Sequence, residues 1–120
     1  MKFNKMCIFL ALLCSSAGAA PVDQEPAVTA EVADTLQAIA AGQPPQRFTD
    51  RGAQDLAAPG LAALLQGCAR PPALELLQRT VDGEDRRYVY RTRCGARTLH
   101  ITVVYNKAAR INRLQIEPEH

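Results

Sequence analysis

Two cysteines and a row of arginines are the residues whose types and spacing hold chemical promise. Cys94 sits in the stretch "RTRCGART", with Arg91 and Arg93 before it and Arg97 after it. Nearby guanidinium groups lower a thiol pKa and raise its reactivity. A catalytic thiol also needs a base within hydrogen-bond reach. The chain offers His100 and His120. His120 is the last residue, and strand alternation puts His100 on a different strand from Cys94 and off the apolar face. Neither Cys-x-x-Cys nor His-x-x-x-His spacing occurs, so no zinc site is expected. The sequence assigns no catalytic residue, no metal and no cofactor.

The first residues decide what the cysteines do. "MKFNK" carries Lys2 and Lys5, "MCIFLALLC" is a short apolar run, and "SSAGAA" is rich in small residues. This is the pattern of a secretory signal peptide over residues 1–20. The run falls short of the roughly 20 apolar residues that span a bilayer. A chain without its leader would carry no membrane span. It would also keep only Cys68 and Cys94, and an even pair in an oxidising compartment reads as one disulfide. A periplasmic or secreted location is expected.

Charge follows the same division. The whole chain has 14 Lys+Arg against 12 Asp+Glu. Lys2 and Lys5 leave with the leader, and the remainder is neutral. A nucleic-acid binder keeps a strong positive excess, so no nucleic-acid partner is expected. The remaining charge is uneven: residues 21–60 hold six acids against Arg47 and Arg51, and residues 61–120 hold ten basic residues against six acidic. The two halves can dock on one another, and a basic patch for an acidic partner stays open.

These residues must be placed by elements. Residues 21–26, "PVDQEP", read as a polar tether. Val28, Val32, Leu36 and Ile39 recur at helical spacing and predict a helix over 27–41. Glu31 and Asp34 fall off that stripe, and Gly42, Pro44 and Pro45 end it. Thr49 or Asp50 caps a second short helix running to Ala57, with Phe48 and Leu56 inward. A third helix puts Leu61, Leu64, Leu65 and Cys68 on one face. From Ala73 the period changes to two. The strand "ALELLQRTV" meets a turn at Asp82-Gly83. In "RRYVYRTRC", Tyr88, Tyr90, Thr92 and Cys94 share one face, and Arg87, Val89, Arg91 and Arg93 the other. In "TLHITVVYN", Leu99, Ile101, Val103 and Tyr105 lie opposite His100, Thr102 and Val104. The last strand, "INRLQIEP", steps unevenly from Ile111 to Leu114, which predicts a bulge near Asn112–Arg113. The whole is an α+β domain over 27–118: three N-terminal helices packed on a curved four-stranded antiparallel meander. Cys68 and Cys94 then meet between the layers.

The helical "GLAALLQGC", the Tyr-x-Tyr strand and the closing "AARINRLQIEPE" together resemble the nuclear-transport-factor-2-like cone. The nearest variant is a secreted bacterial domain of unknown function often appended to serine hydrolases. Ile111, Leu114, Ile116 and Pro118 fit its last-strand motif. The turn glycine of that motif is Ala109 here, and Gly67-Cys68 stands where the family has glycine-proline. The resemblance implies the cone fold and an accessory role beside a secreted or cell-wall enzyme. It says almost nothing about activity.

Two surfaces then compete for function. The inward faces, with Tyr88, Tyr90 and Ile101, would form either a packed core or a small apolar pocket with tyrosine hydroxyls as its polar handles. No carboxylate pair is placed to work on a substrate there. The arginines Arg87, Arg91 and Arg93, with Arg97 beginning the next strand, read either as a solvated face neutralised by Glu75, Asp82, Glu84 and Asp85 or as a site for an acidic partner. The expectation is a non-enzymatic binding or accessory protein. The alternatives are a small periplasmic enzyme or ligand binder using the cone interior, and a homodimer formed through the sheet.

Overall fold

A computed structural model describes residues 23–119. The expected leader, residues 21 and 22 of the tether, and His120 lie outside the described residues. Three helices, α1 (Pro26–Ala40), α2 (Asp50–Asp55) and α3 (Leu61–Leu65), precede four strands, β1 (Glu75–Asp82), β2 (Asp85–Cys94), β3 (Arg97–Tyr105) and β4 (Ile111–Pro118). The strands form one antiparallel sheet in the order β1-β2-β3-β4. The domain is thus α+β with an open meander sheet. No helix among the described residues is long and apolar enough to cross a membrane.

Each helix begins and ends for a local reason. Proline opens α1, where its missing N–H costs nothing and its fixed φ suits the first turn. Val32, Leu36 and Ile39 are buried along one stripe, and half-buried Val28 packs beside them. Thr49 caps α2, its hydroxyl accepting from the Gly52 amide at 3.0 Å. Gly52 is there because nothing larger fits: a Cβ would lie 2.2 Å from the Ile111 carbonyl oxygen. The third helix is shorter than the sequence suggests. It stops at Leu65, and Cys68 lies past its end in an isolated antiparallel bridge to Cys94. The cysteine therefore meets the sheet as extended chain rather than from a helical face.

The sheet follows the predicted alternation. Tyr88, Tyr90, Thr92 and Cys94 of β2 and Leu99, Ile101, Val103 and Tyr105 of β3 are all buried on the inner side. Leu114 and Ile116 of β4 extend that layer. Val104 pairs with Arg113 and Tyr105 with Ile111, so Asn112 is the extra residue of the expected bulge. A second bulge in β1 was not foreseen: Leu76 pairs with Tyr90 and Gln78 with Val89, which leaves Leu77 unmatched and more exposed than its neighbours in the core.

The two sheet edges differ. The 47–55 segment covers the start of β4. Thr49 donates its amide to Ile111 at 2.9 Å, Ile111 donates to Arg47 at 2.8 Å, and Leu114 donates to the Asp55 carboxylate at 2.8 Å. The edge of β1 instead carries Leu77 and Val81, and is blunted by its bulge. The Cys68–Cys94 disulfide closes the layer between helices and sheet.

Candidate functional site: the two faces of the sheet

On the inner face the tyrosine hydroxyls meet carboxylates and a threonine of the N-terminal segment. The Tyr88 hydroxyl donates to Glu25 at 2.9 Å, and the Tyr105 hydroxyl donates to Glu31 at 3.1 Å. Thr29 donates its single hydroxyl proton to the Asp23 carboxylate. The Tyr90 hydroxyl, 3.1 Å from the Thr29 oxygen, is therefore the donor of that pair. Each tyrosine is anchored through its oxygen to the first turns of α1 or the residues just before it. The rings pack on each other: Tyr88 and Tyr90 stack with centres 6.3 Å apart, and Tyr88 meets Tyr105 edge-on at 5.9 Å. Arginines close the margins, Arg79 over Tyr88 at 5.8 Å and Arg86 over Tyr105 at 5.9 Å. Arg79 also pairs with Glu25, and Arg47 with Glu31 at 3.4 Å.

Burial sets the acidity of this cluster. Loss of hydration pushes the Tyr90 phenol up to about 12. The same desolvation, reinforced by the neighbouring Glu31 carboxylate, raises Tyr105 well above the ordinary tyrosine range. Tyr88 is raised as well, again chiefly by desolvation. A phenol so placed holds its proton at neutral pH and serves as a donor, not as a base. Tyr88, Tyr90 and Ile101 are each fully buried. Three surface clefts lined by described residues all lie elsewhere.

The outer face has a different character. Among the described residues no helix packs on it. Cross-strand register lines up Glu75, Arg91, His100 and Glu117 in one row, and Thr80, Arg87, Val104 and Arg113 in another. Between them run Gln78, Val89, Thr102 and Gln115. The arginines Arg87, Arg91 and Arg93 do share this face. Arg97 does not: it pairs with Cys94 and takes the parity of the inner side, while Thr98 is the partner of Arg93. The sequence set of four thus becomes three arginines of β2 joined by Arg113 of β4.

Neutralisation of these arginines is partial. Arg91 donates through two nitrogens to one Glu75 oxygen, at 2.9 and 3.2 Å, which fulfils the expected pairing across β1 and β2. That bond raises the Arg91 pKa further. Glu84, another of the acids considered, instead approaches Lys107 at 3.7 Å. Arg113 comes within 3.7 Å of Asp55, and His100 within 3.3 Å of Glu119. Arg87 and Arg93 are exposed and make no ion pair among the described residues.

Several of these partners were invisible in the sequence reading. Glu31 looked like a solvent residue because it lies off the apolar stripe. Its position beside the stripe, four residues before Thr35, was the available signal. Asp23 and Glu25 read as tether, yet Asp23 accepts from the Thr29 hydroxyl and Glu25 from the Tyr88 hydroxyl. Comparison with family models, with curated proteins and with solved structures yields no match for this chain.

Proposed function

We propose that this chain is a secreted or periplasmic binding protein that engages its partner through the outer face of the sheet, without catalysing a reaction. The observation that carries this reading is the contrast between the two faces. The inner face carries three buried tyrosines whose hydroxyls are engaged by the N-terminal segment. The outer face is covered by no described element and carries Arg87, Arg91, Arg93 and Arg113 on neighbouring strands. Arginine is favoured where a protein surface is to be recognised, because its planar group donates several hydrogen bonds and packs on apolar surface. The disulfide fits an oxidising compartment.

The resemblance to the nuclear-transport-factor-2-like cone gives this role a form. On that resemblance the chain serves as an accessory or inhibitor of a secreted or cell-wall enzyme. That step is an analogy of fold and sequence motif. Its test is affinity capture from a periplasmic or secreted fraction on the immobilised mature chain. A partner held by the native chain and lost on Arg87→Ser/Arg91→Ser/Arg93→Ser supports the reading. Equal retention of every captured protein by the triple variant removes it.

A further inference from the structure

At the end of the sheet next to the disulfide, β2 outruns β1. The ladder of these strands stops at Glu75 and Arg91, and beyond it Cys68 bridges Cys94 on that side. The opening is a cleft of about 340 Å³ with Arg93 and Thr98 in its lining. The Thr92 hydroxyl bonds the Ala73 carbonyl at 2.7 Å, which fixes one margin. Glu75, held by Arg91, stands on one wall, and Glu119 on another.

We infer that this cleft is a carboxylate site, in which Arg93 receives a carboxylate carried by a peptide segment of the partner. This inference rests on the reading of the outer face as a binding surface. Arg91 already serves Glu75, whereas Arg93 makes no ion pair among the described residues and shares the cleft with the hydroxyl of its cross-strand neighbour Thr98. A guanidinium fork and a hydroxyl together match the two oxygens of a carboxylate. The two glutamates select among anions. They repel a phosphate dianion more strongly than a carboxylate with one charge. They also accept from the N–H groups that accompany a carboxylate in a peptide. Cys94 follows Arg93 directly, so the disulfide holds this strand end in place.

The test is an NMR titration of the ¹⁵N-labelled mature chain. The probes are sodium acetate, N-acetylglycine (a terminal carboxylate), N-acetylglutamic acid α-amide (a side-chain carboxylate) and inorganic phosphate, each against sodium chloride at matched ionic strength. Saturable shifts confined to the amides of residues 91–93, 98 and 119 are expected with the carboxylates, and the tighter of the two peptide-like acids identifies its source. In Arg93→Ser the affinity falls about tenfold or more, as befits a lost charge-assisted bond. Shifts spread equally over Arg87 and Arg97, unchanged affinity in Arg93→Ser, tighter binding of phosphate, or no localised shift would each overturn the inference. Arg87→Ser in the capture experiment reads the same face away from the cleft. Capture lost there, with no carboxylate shift at Arg93, leaves the binding face standing and removes only the cleft.

Discussion

The Tyr105 hydroxyl meets the Glu31 carboxylate at 3.1 Å, joining residues 74 positions apart across the helix–sheet interface. Arg47 approaches the same carboxylate oxygen at 3.4 Å. Helix, sheet and the loop between them are thus tied at one acid. The chain has three tyrosines and no tryptophan, so phenol absorbance reads this layer alone.

Alkaline titration followed at 295 nm is therefore expected to show tyrosinate forming at higher pH than pH 10, where a free phenol titrates. The folded-state values lie above the unfolded one, Tyr90 at about 12 and Tyr105 higher still. Their contribution to stability is complete below pH 10 and is lost as pH rises from there through the folded values. Ionisation and loss of near-ultraviolet dichroism should coincide above about pH 11. Three phenols titrating near pH 10 in a chain that stays folded would refute the buried cluster.

The disulfide closes a loop between residues 26 positions apart. The chain-entropy argument gives about 3.5 kcal/mol for such a loop. The double variant Cys68→Ala/Cys94→Ala is expected to unfold in urea with stability lower by about 3 kcal/mol and a similar dependence on denaturant. Mass spectrometry of the non-reduced native chain should find no free thiol at either position.

Ala109 occupies the turn between β3 and β4 at φ 61°, where an L side chain is disfavoured. The turn is otherwise well bonded: the Asn106 side-chain oxygen accepts from the Ala108 and Arg110 amides, both at 3.0 Å. Ala109→Gly is expected to raise stability by about 1 kcal/mol, the relief of a left-handed alanine less the entropy that glycine adds to the unfolded chain. Thermal unfolding measures it, and a lower midpoint would contradict the turn geometry.

Gly52 shows the opposite sign. Its amide bonds the Thr49 cap and its α-carbon faces the Ile111 carbonyl, with no space for a methyl group. Gly52→Ala gains helix propensity yet forces α2 away from β4. A net loss of about 2–3 kcal/mol is expected by urea denaturation. An unchanged midpoint would show that α2 does not dock this closely.

Much of this architecture is local and was readable in advance. Alternation in "RRYVYRTRC" separates Tyr88, Tyr90 and Cys94 from Arg87, Arg91 and Arg93 because successive strand side chains point to opposite sides. The uneven step from Ile111 to Leu114 reports its bulge for the same reason. The spacing in "LAALLQGC" stays helical as far as Cys68, past the end of α3 at Leu65. Tertiary pairing wins there, since the bridge to Cys94 draws Cys68 into extended chain.

By itself the sequence determined which residues face inward, where the chain turns, and that Cys68 and Cys94 can pair. These follow from periodicity and turn chemistry, which act over a few residues. Only the tertiary structure decided what each inward hydroxyl bonds to, because Tyr88 finds Glu25 across 63 positions through the docking of α1 on the sheet. It also decided that Arg93 lines a cleft while Arg91 is occupied. That distinction depends on where β1 begins opposite β2, a register set by long-range hydrogen bonds rather than by the order of residues in either strand.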